Sequence, residues 1–187
     1  MKINKKTGLI ESADFFASPF FDERPKNTEP DIVVIHSISL PPGEFGSNMI
    51  NDFFCGTLDK TSHPYFETLD DFEVSTHLLI DREGRLSQFV PFHKRAWHAG
   101  VSSFKGKENC NDFSIGIELE GTDDLPYEKA QYRKLLEVLN LLMKNYNIIK
   151  DRVVGHVDIA PKRKNDPGPM FDWPYLRKSL DKLTLKI

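Results

Sequence analysis

Gly155-His156-Val157-Asp158-Ile159-Ala160-Pro161-Lys162-Arg163-Lys164-Asn165-Asp166-Pro167-Gly168-Pro169 places a histidine, a lysine and an aspartate within eleven residues. Imidazole nitrogen and carboxylate oxygen are two of the three usual protein ligand types for zinc, and Lys164 sets a positive charge beside them. The stretch is too rich in proline and glycine for regular structure, so it reads as a loop. Loops held on a rigid scaffold are where catalytic groups concentrate. Prolines at 161, 167 and 169 each hold φ near about −65° and limit the loop to few conformations. A His–Asp pair in a loop is also what an ordinary surface hydrogen bond looks like, so a metal site needs a third ligand from elsewhere.

One candidate stands at the end of a strand. Asp31-Ile32-Val33-Val34-Ile35-His36 is a β-branched run of the kind buried on both faces of a sheet. His36 at its exit faces either a cleft or nothing more than the strand end. His36, His156 and Asp166 would make three ligands spaced 120 and 10 residues apart, too open for a zinc finger, whose ligands come in tight pairs. Three protein ligands leave a fourth position for water. Zinc lowers the pKa of bound water from about 15.7 to about 7, which favours hydroxide by about 12 kcal/mol. A general base is then needed, and Glu118 qualifies if it faces the same cleft. Lys164 would stabilise an oxyanion, and the chemistry implied is hydrolysis of an amide or ester. The chain has six histidines, so His77, His93 and His98 stay open as rival ligands. His93 and His98 flank Trp97, a pattern closer to a substrate-lining loop.

The elements that must position these groups follow from the chain around them. Its 187 residues suffice for one well-buried core. Apolar content of 39% and charged content of 28% are those of an ordinary soluble protein. A net charge of −3 offers no basic surplus for nucleic acid. No apolar run is long enough to span a bilayer. No h-region follows the basic Met1–Lys6, so no secretory signal is expected. Cys55 and Cys110 lack CxxC spacing and suit a reducing cytoplasm, with a single disulfide left open. Residues 1–30 read as an extended arm laying Phe15, Phe16, Phe20 and Phe21 on a domain spanning residues 31–187. A short helix is expected over 47–55, then a polar loop over 57–72. A hairpin is expected across Asp81-Arg82-Glu83-Gly84, with flanks at 74–80 and 85–90.

Phe113–Glu120 alternates, putting Glu118 on one face with Gly116 and Ser114; that face is either a cleft wall or the wet side of a sheet. Gly116 leaves room for something to approach the backbone. Tyr127–Tyr146 reads as the longest helix, packing Leu135, Val138, Leu139, Leu142, Met143 and Tyr146 inward. Arg152–Val154 reads as a short strand, and a last helix capped by Asp172 runs through Leu180. Strands alternating with helices, plus a hairpin, predict a single α/β domain with a central mixed sheet flanked by helices.

Four motifs carry a family resemblance. Ile35-His36-Ser37-Ile38-Ser39-Leu40-Pro41-Pro42-Gly43-Glu44-Phe45-Gly46, Lys94-Arg95-Ala96-Trp97-His98-Ala99-Gly100-Val101-Ser102-Ser103, the run Cys110–Asp123, and Gly155-His156 with Ile159-Ala160-Pro161 and Arg163–Pro169 occur in order. Together they resemble the cytoplasmic 1,6-anhydro-N-acetylmuramoyl-L-alanine amidases, the AmpD family, from Asp31 to about Leu180. The resemblance implies the fold shared by phage lysozyme-type amidases and peptidoglycan recognition proteins. It implies one zinc ion held by His36, His156 and Asp166, with Glu118 as catalytic acid/base and Lys164 as transition-state stabiliser. Trp97 matches an aromatic of the sugar-binding loop, although a tryptophan is more often plain core. The implied substrate is an anhydromuramoyl-peptide of wall recycling, cut between the lactyl group and L-alanine in the cytoplasm, with no nucleic acid, membrane or obligate protein partner.

The alternatives are a wall amidase acting on polymeric murein, a non-catalytic muropeptide-recognition module and a structural zinc domain. The sequence departs from the family pattern at Ser37, where many members have asparagine. It departs again at Glu73 and Asn109, where members acting on diaminopimelate stems have arginine. The expectation is a looser grip on the distal carboxylate of the stem, with Arg82, Lys105 and Lys107 as substitute cations.

Overall fold

Continuous β-branched runs lose their side chains to water unless both faces are covered, and here they form the middle of a six-stranded sheet. Its strands are Asp14–Phe15 (β1), Ile32–Ile38 (β2), Leu78–Ile80 (β3), Leu86–Gln88 (β4), Ser114–Glu120 (β5) and Val153–Gly155 (β6). The computed structural model describes residues 1–69 and 72–184. The spatial order is β6-β2-β5-β3-β4-β1. Neighbours from β6 to β3 are parallel, β3 and β4 form the expected antiparallel hairpin, and β1 joins β4 in parallel. The sheet is therefore mixed, as the element pattern predicts.

Alternation along β2 and β5 divides the two faces. Val33, Ile35, Ile115, Ile117 and Leu119 pack against a helical layer. That layer consists of Lys129–Asn145 (α2), which buries Leu135, Val138, Leu139 and Leu142, and Trp173–Thr184 (α4), which buries Leu176 and Leu180. Each such burial contributes roughly 1.5–3 kcal/mol. Buried Gln131 ties α2 to the sheet: its amide donates to the carbonyls of Ile80 (3.3 Å) and Glu120 (2.9 Å). Ile32, Val34 and Val154 face the other way, onto Ala99, Cys110, Phe113 and Ile159. Irregular chain, rather than a long helix, covers that second face. A separate cluster joins Met49–Phe54 (α1) to Leu40, Phe66, Phe89 and Val90. Among the described residues, no helix is long and apolar enough to cross a membrane. Cys55 and Cys110 are free.

Several local expectations are corrected. β2 runs two residues past His36 because its parallel pairing with β5 continues to Ile38 beside Glu120. The stretch 57–72 contains two short 3-10 turns, Lys60–Ser62 and Pro64–Thr68, while its residues Asp70 and Asp71 lie outside the described residues. The loop after β6 is not wholly irregular. His156–Ile159 forms one helical turn (α3), closed by the Asp158 carboxylate accepting from the Gly155 N–H at 2.7 Å. α4 runs beyond Leu180 to Thr184, and Asp172 caps it, accepting from the Tyr175 N–H at 2.8 Å.

The first 30 residues do more than lie on the surface. Ile3–Asn4 pairs with Leu9–Ile10, β1 extends the sheet, and Phe21–Glu23 pairs with Lys94–Ala96. Phe16 stacks on Phe89 with ring centroids 6.1 Å apart, yet Phe15, Phe16 and Phe21 stay 48%, 38% and 37% exposed at the sheet edge. The deeper anchors are Ile10 and Arg24. Arg24 donates to the carbonyls of Phe92 (3.1 Å), Asn111 (3.1 Å), Asp112 (2.9 Å) and Ser114 (2.8 Å), and meets His77 Nε2 at 3.0 Å. Burial lowers its pKa to about 10, which leaves it charged at neutral pH.

Candidate metal centre

Parallel register sets His36 directly beside Glu118. Neighbouring residues in register share a face, so both side chains project from the loop-covered side of the sheet. β6 lies on the other side of β2, with Gly155 beside Ile35, and His156 follows as the first residue of α3. The chain then turns back through Asp166, whose carbonyl accepts from the Val157 N–H at 3.0 Å. Gly168 completes the return at φ +81°, where a Cβ would sit 2.7 Å from the Cα of Asp123. Only glycine fits both that conformation and that approach.

The three sequence-predicted ligands converge. His36 Nδ1 and His156 Nδ1 are 2.9 Å apart, and Asp166 Oδ2 lies 3.1 Å from the first and 3.0 Å from the second. The group could hold a metal ion. Zinc–ligand bonds of about 2.0–2.2 Å put tetrahedral donors roughly 3.3–3.6 Å apart, a few tenths of an ångström wider than this triangle. The other nitrogens show which lone pairs point inward. His156 Nε2 lies 3.2 Å from the Ala99 carbonyl, which can only accept, so the proton is on Nε2 and Nδ1 presents a lone pair. Ring lone pairs and a carboxylate oxygen at such distances repel one another unless a proton or cation lies between them. The donor set suits zinc.

Burial of His36 pulls its pKa down to about 4 despite the Asp166 carboxylate, so its ring is neutral. The two carboxylates diverge. Burial by itself would raise Asp166, but the ring nitrogens of His156 and His36 beside it hold it well below the usual carboxylate range. Burial raises Glu118 well above its ordinary value, the Asp166 charge adds to this, and Lys164 opposes it. Glu118 Oε2 is buried with no hydrogen-bond partner. A poised carboxyl and a permanently ionised one at a single site is the pattern of divided acid–base roles.

These groups border one cleft of about 390 Å3, whose walls include Trp97, Lys164, Arg163, Phe53 and Ser37. Trp97 packs toward Phe20 with ring centroids 6.5 Å apart. Gly116 does make room, but for His98: a Cβ there would sit 2.5 Å from the His98 ring. Of the rival histidines, His98 borders the cleft behind His36 and His77 lies deeper, its Nδ1 accepting from the Gly116 N–H at 3.1 Å. His93 packs beside Gly8 rather than in the cleft. Neither His77 nor His93 belongs to the metal-competent group. The substitute cations are displaced too. Arg82 pairs with Glu128 at 2.7 Å, Lys107 sits 3.8 Å over the Phe113 ring and Lys105 5.4 Å over Phe104. None of the three borders the cleft; Arg163 and Lys164 are its cations. Asn109 adopts φ +58° ahead of a 3-10 turn, a conformation that asparagine tolerates well.

Sequence reasoning missed the groups that steady the ligands. The Asn111 carboxamide oxygen accepts from the N–H groups of His98 (3.1 Å) and Ala99 (2.8 Å). Arg163 donates to the carbonyls of Ala99 (2.6 Å) and Val101 (3.0 Å). Both residues lie within the conspicuous motifs, but nothing in their spacing says that Asn111 holds the Ala99 N–H and Arg163 the Ala99 carbonyl.

Residues 26–169 match the family model of N-acetylmuramoyl-L-alanine amidases. The 1,6-anhydro-N-acetylmuramyl-L-alanine amidase AmpD of Citrobacter freundii is 54% identical over 170 residues, covering 91% of each chain. The crystal structure of a selenomethionine AmpD derivative superposes with a TM-score of 0.91 at 51% identity, over 96% of this chain and 99% of that one. The Escherichia coli amidase AmiD, in complex with the substrate anhydro-N-acetylmuramic acid-L-Ala-D-γ-Glu-L-Lys, gives a TM-score of 0.60 at 32% identity, over 84% of this chain and 60% of that one. A chain that shares this fold, these motifs and this much sequence belongs to the N-acetylmuramoyl-L-alanine amidase family, on its AmpD branch.

Proposed function

We propose that this protein is a zinc-dependent amidase that cleaves the bond between the lactyl group of 1,6-anhydro-N-acetylmuramic acid and L-alanine of the stem peptide. The observation that carries the reading is the inward-facing triangle of His36, His156 and Asp166, with the unpartnered Glu118 oxygen on the same cleft wall. The names of the AmpD relatives and the muropeptide bound to AmiD support the substrate class. His36, His156 and Asp166 would hold the zinc ion, which when bound would supply Lewis acidity and make water a better nucleophile near neutral pH. Glu118 accepts the proton of the attacking water and delivers it to the departing amide nitrogen. The new C–O bond forms first, with the carbonyl electron pair moving onto oxygen, and the C–N bond then breaks as that pair returns, giving a lactyl carboxylate and a free N-terminal L-alanine. Lys164, positioned to reach the cleft, offsets charge developing on the scissile carbonyl oxygen. Trp97 offers its indole face to the sugar ring.

The physiological setting we infer is cytoplasmic recycling of soluble muropeptides. With no arginine at 73 or 109, the third stem residue should raise kcat/KM only slightly over a dipeptide stem. A large gain from that residue would refute this part.

The decisive assay is mass spectrometry of the purified protein with anhydromuramoyl-tripeptide, as isolated, after chelation and after zinc is returned. Release of free tripeptide that stops on chelation and resumes with zinc is expected. Tight binding without cleavage would instead mean a recognition module, and strong activity on intact sacculi would mean a wall amidase.

A further inference from the structure

His36 has a second ring nitrogen, and its partner is a histidine that plays no part in the proposed reaction. His36 Nε2 lies 2.9 Å from His98 Nδ1, and His98 Nε2 lies 3.0 Å from Ser114 Oγ. His98 is partly exposed where it borders the cleft and is otherwise enclosed by its neighbours. Its backbone is clamped by Asn111, its ring rests on the bare Cα of Gly116, and the His77 ring stands edge-on at 5.8 Å. The next residue, Ala99, orients the other imidazole ligand through its carbonyl. One two-residue strap therefore touches the outer nitrogen of both histidine ligands.

The relay admits two complete proton orders. In the first, Ser114 donates to His98 Nε2, His98 Nδ1–H donates to His36 Nε2, and His36 Nδ1–H donates to Asp166. That order closes off the lone pair a metal needs. In the second, His36 Nε2–H donates to His98 Nδ1, and His98 Nε2–H donates to Ser114 Oγ. Both rings stay neutral in either order, and only the second leaves His36 Nδ1 free.

We infer that His98 is a positioning residue for the metal centre: in the zinc-loaded protein its Nδ1 accepts the His36 Nε2 proton and so fixes His36 Nδ1 as the ligand atom. The inference rests on the zinc reading above, but not on amidase activity. Outer partners of this kind typically change metal affinity 10–100-fold.

Two measurements test it, neither using substrate. Nitrogen-15 spectra of the histidine rings in the zinc-loaded wild-type protein should show both His36 and His98 protonated at Nε2. His98 protonated at Nδ1 with zinc bound would overturn the inference while leaving the amidase reading intact. Zinc affinity by chelator competition should fall about 10–100-fold in His98→Ala. It should largely recover in His98→Asn, whose carboxamide oxygen can take the place of Nδ1. Equal affinity in His98→Ala and wild type, or an Asn variant as weak as Ala, would also overturn it. A wild-type protein that takes up no zinc would overturn this inference and the zinc reading together. If the variants fail to fold, the wild-type spectra still decide.

Discussion

Gly116→Ala is a one-carbon test of how the site is packed. The added Cβ would lie 2.5 Å from Cγ, 2.7 Å from Cδ2 and 2.8 Å from Nδ1 of His98. Ordinary carbon contacts begin about 3.5 Å apart, so the ring must retreat by roughly 1 Å. Its backbone cannot follow, because the N–H groups of His98 and Ala99 are both held by Asn111. Tilting the ring instead breaks the 2.9 Å contact with His36. Overpacking of this kind costs about 1–3 kcal/mol, and the lost hydrogen bond about 1 kcal/mol more. A total of roughly 2–4 kcal/mol lowers Tm by about 4–16 °C for a chain of this size. Zinc affinity should fall alongside, roughly 10–100-fold, as the outer partner of His36 is displaced. Thermal melts of the chelated protein and chelator competition read the two effects separately. A variant with wild-type Tm and wild-type zinc affinity would show that the ring is free to move, and would refute the packing argument.

Arg24→Met should be among the more destabilising substitutions available. It leaves four backbone carbonyls without their donor, a loss of roughly 3–5 kcal/mol on the scale for broken buried charge networks; urea melts within 1 kcal/mol of wild type would contradict this. Glu118→Gln should keep zinc and lower kcat by about 10²–10⁴-fold, whereas a variant with more than a tenth of wild-type kcat would remove Glu118 from proton transfer. The chelated protein should lose stability on acidification. His36 has a folded pKa near 4 against an ordinary 6.5, so the unfolded chain takes up the proton first. Its contribution is complete above pH 6.5 and is lost as pH falls toward 4, roughly 3 kcal/mol in all. Burial lowers His77 and His98 as well, so they act in the same direction, and together these three histidines outweigh the opposing effect of the raised Glu118 carboxyl. Urea midpoints that do not change between pH 7 and pH 5 would disprove this linkage.

The sequence by itself determined the frame and the principal actors. β-branched and alternating runs marked β2 and β5, and a 3.6-residue repeat marked α2, because those periodicities directly express which face meets the core. His36, His156, Asp166 and Glu118 were legible as chemistry because they stand near the ends of strands or in a proline-stiffened loop, and the motif resemblance assigned their roles. Tertiary structure decided what those residues face. Parallel register, which no local pattern encodes, put His36 beside Glu118. Burial within that register made Glu118 a poised acid rather than the wet side of a sheet. The same long-range packing took Arg82, Lys105 and Lys107 away from the cleft and brought Arg163 to it. It also turned Gly116 into a seat for His98 and Arg24 into an internal brace. A side chain's partners across 60 or more residues depend on how separately formed elements dock, and spacing along the chain carries almost none of that information.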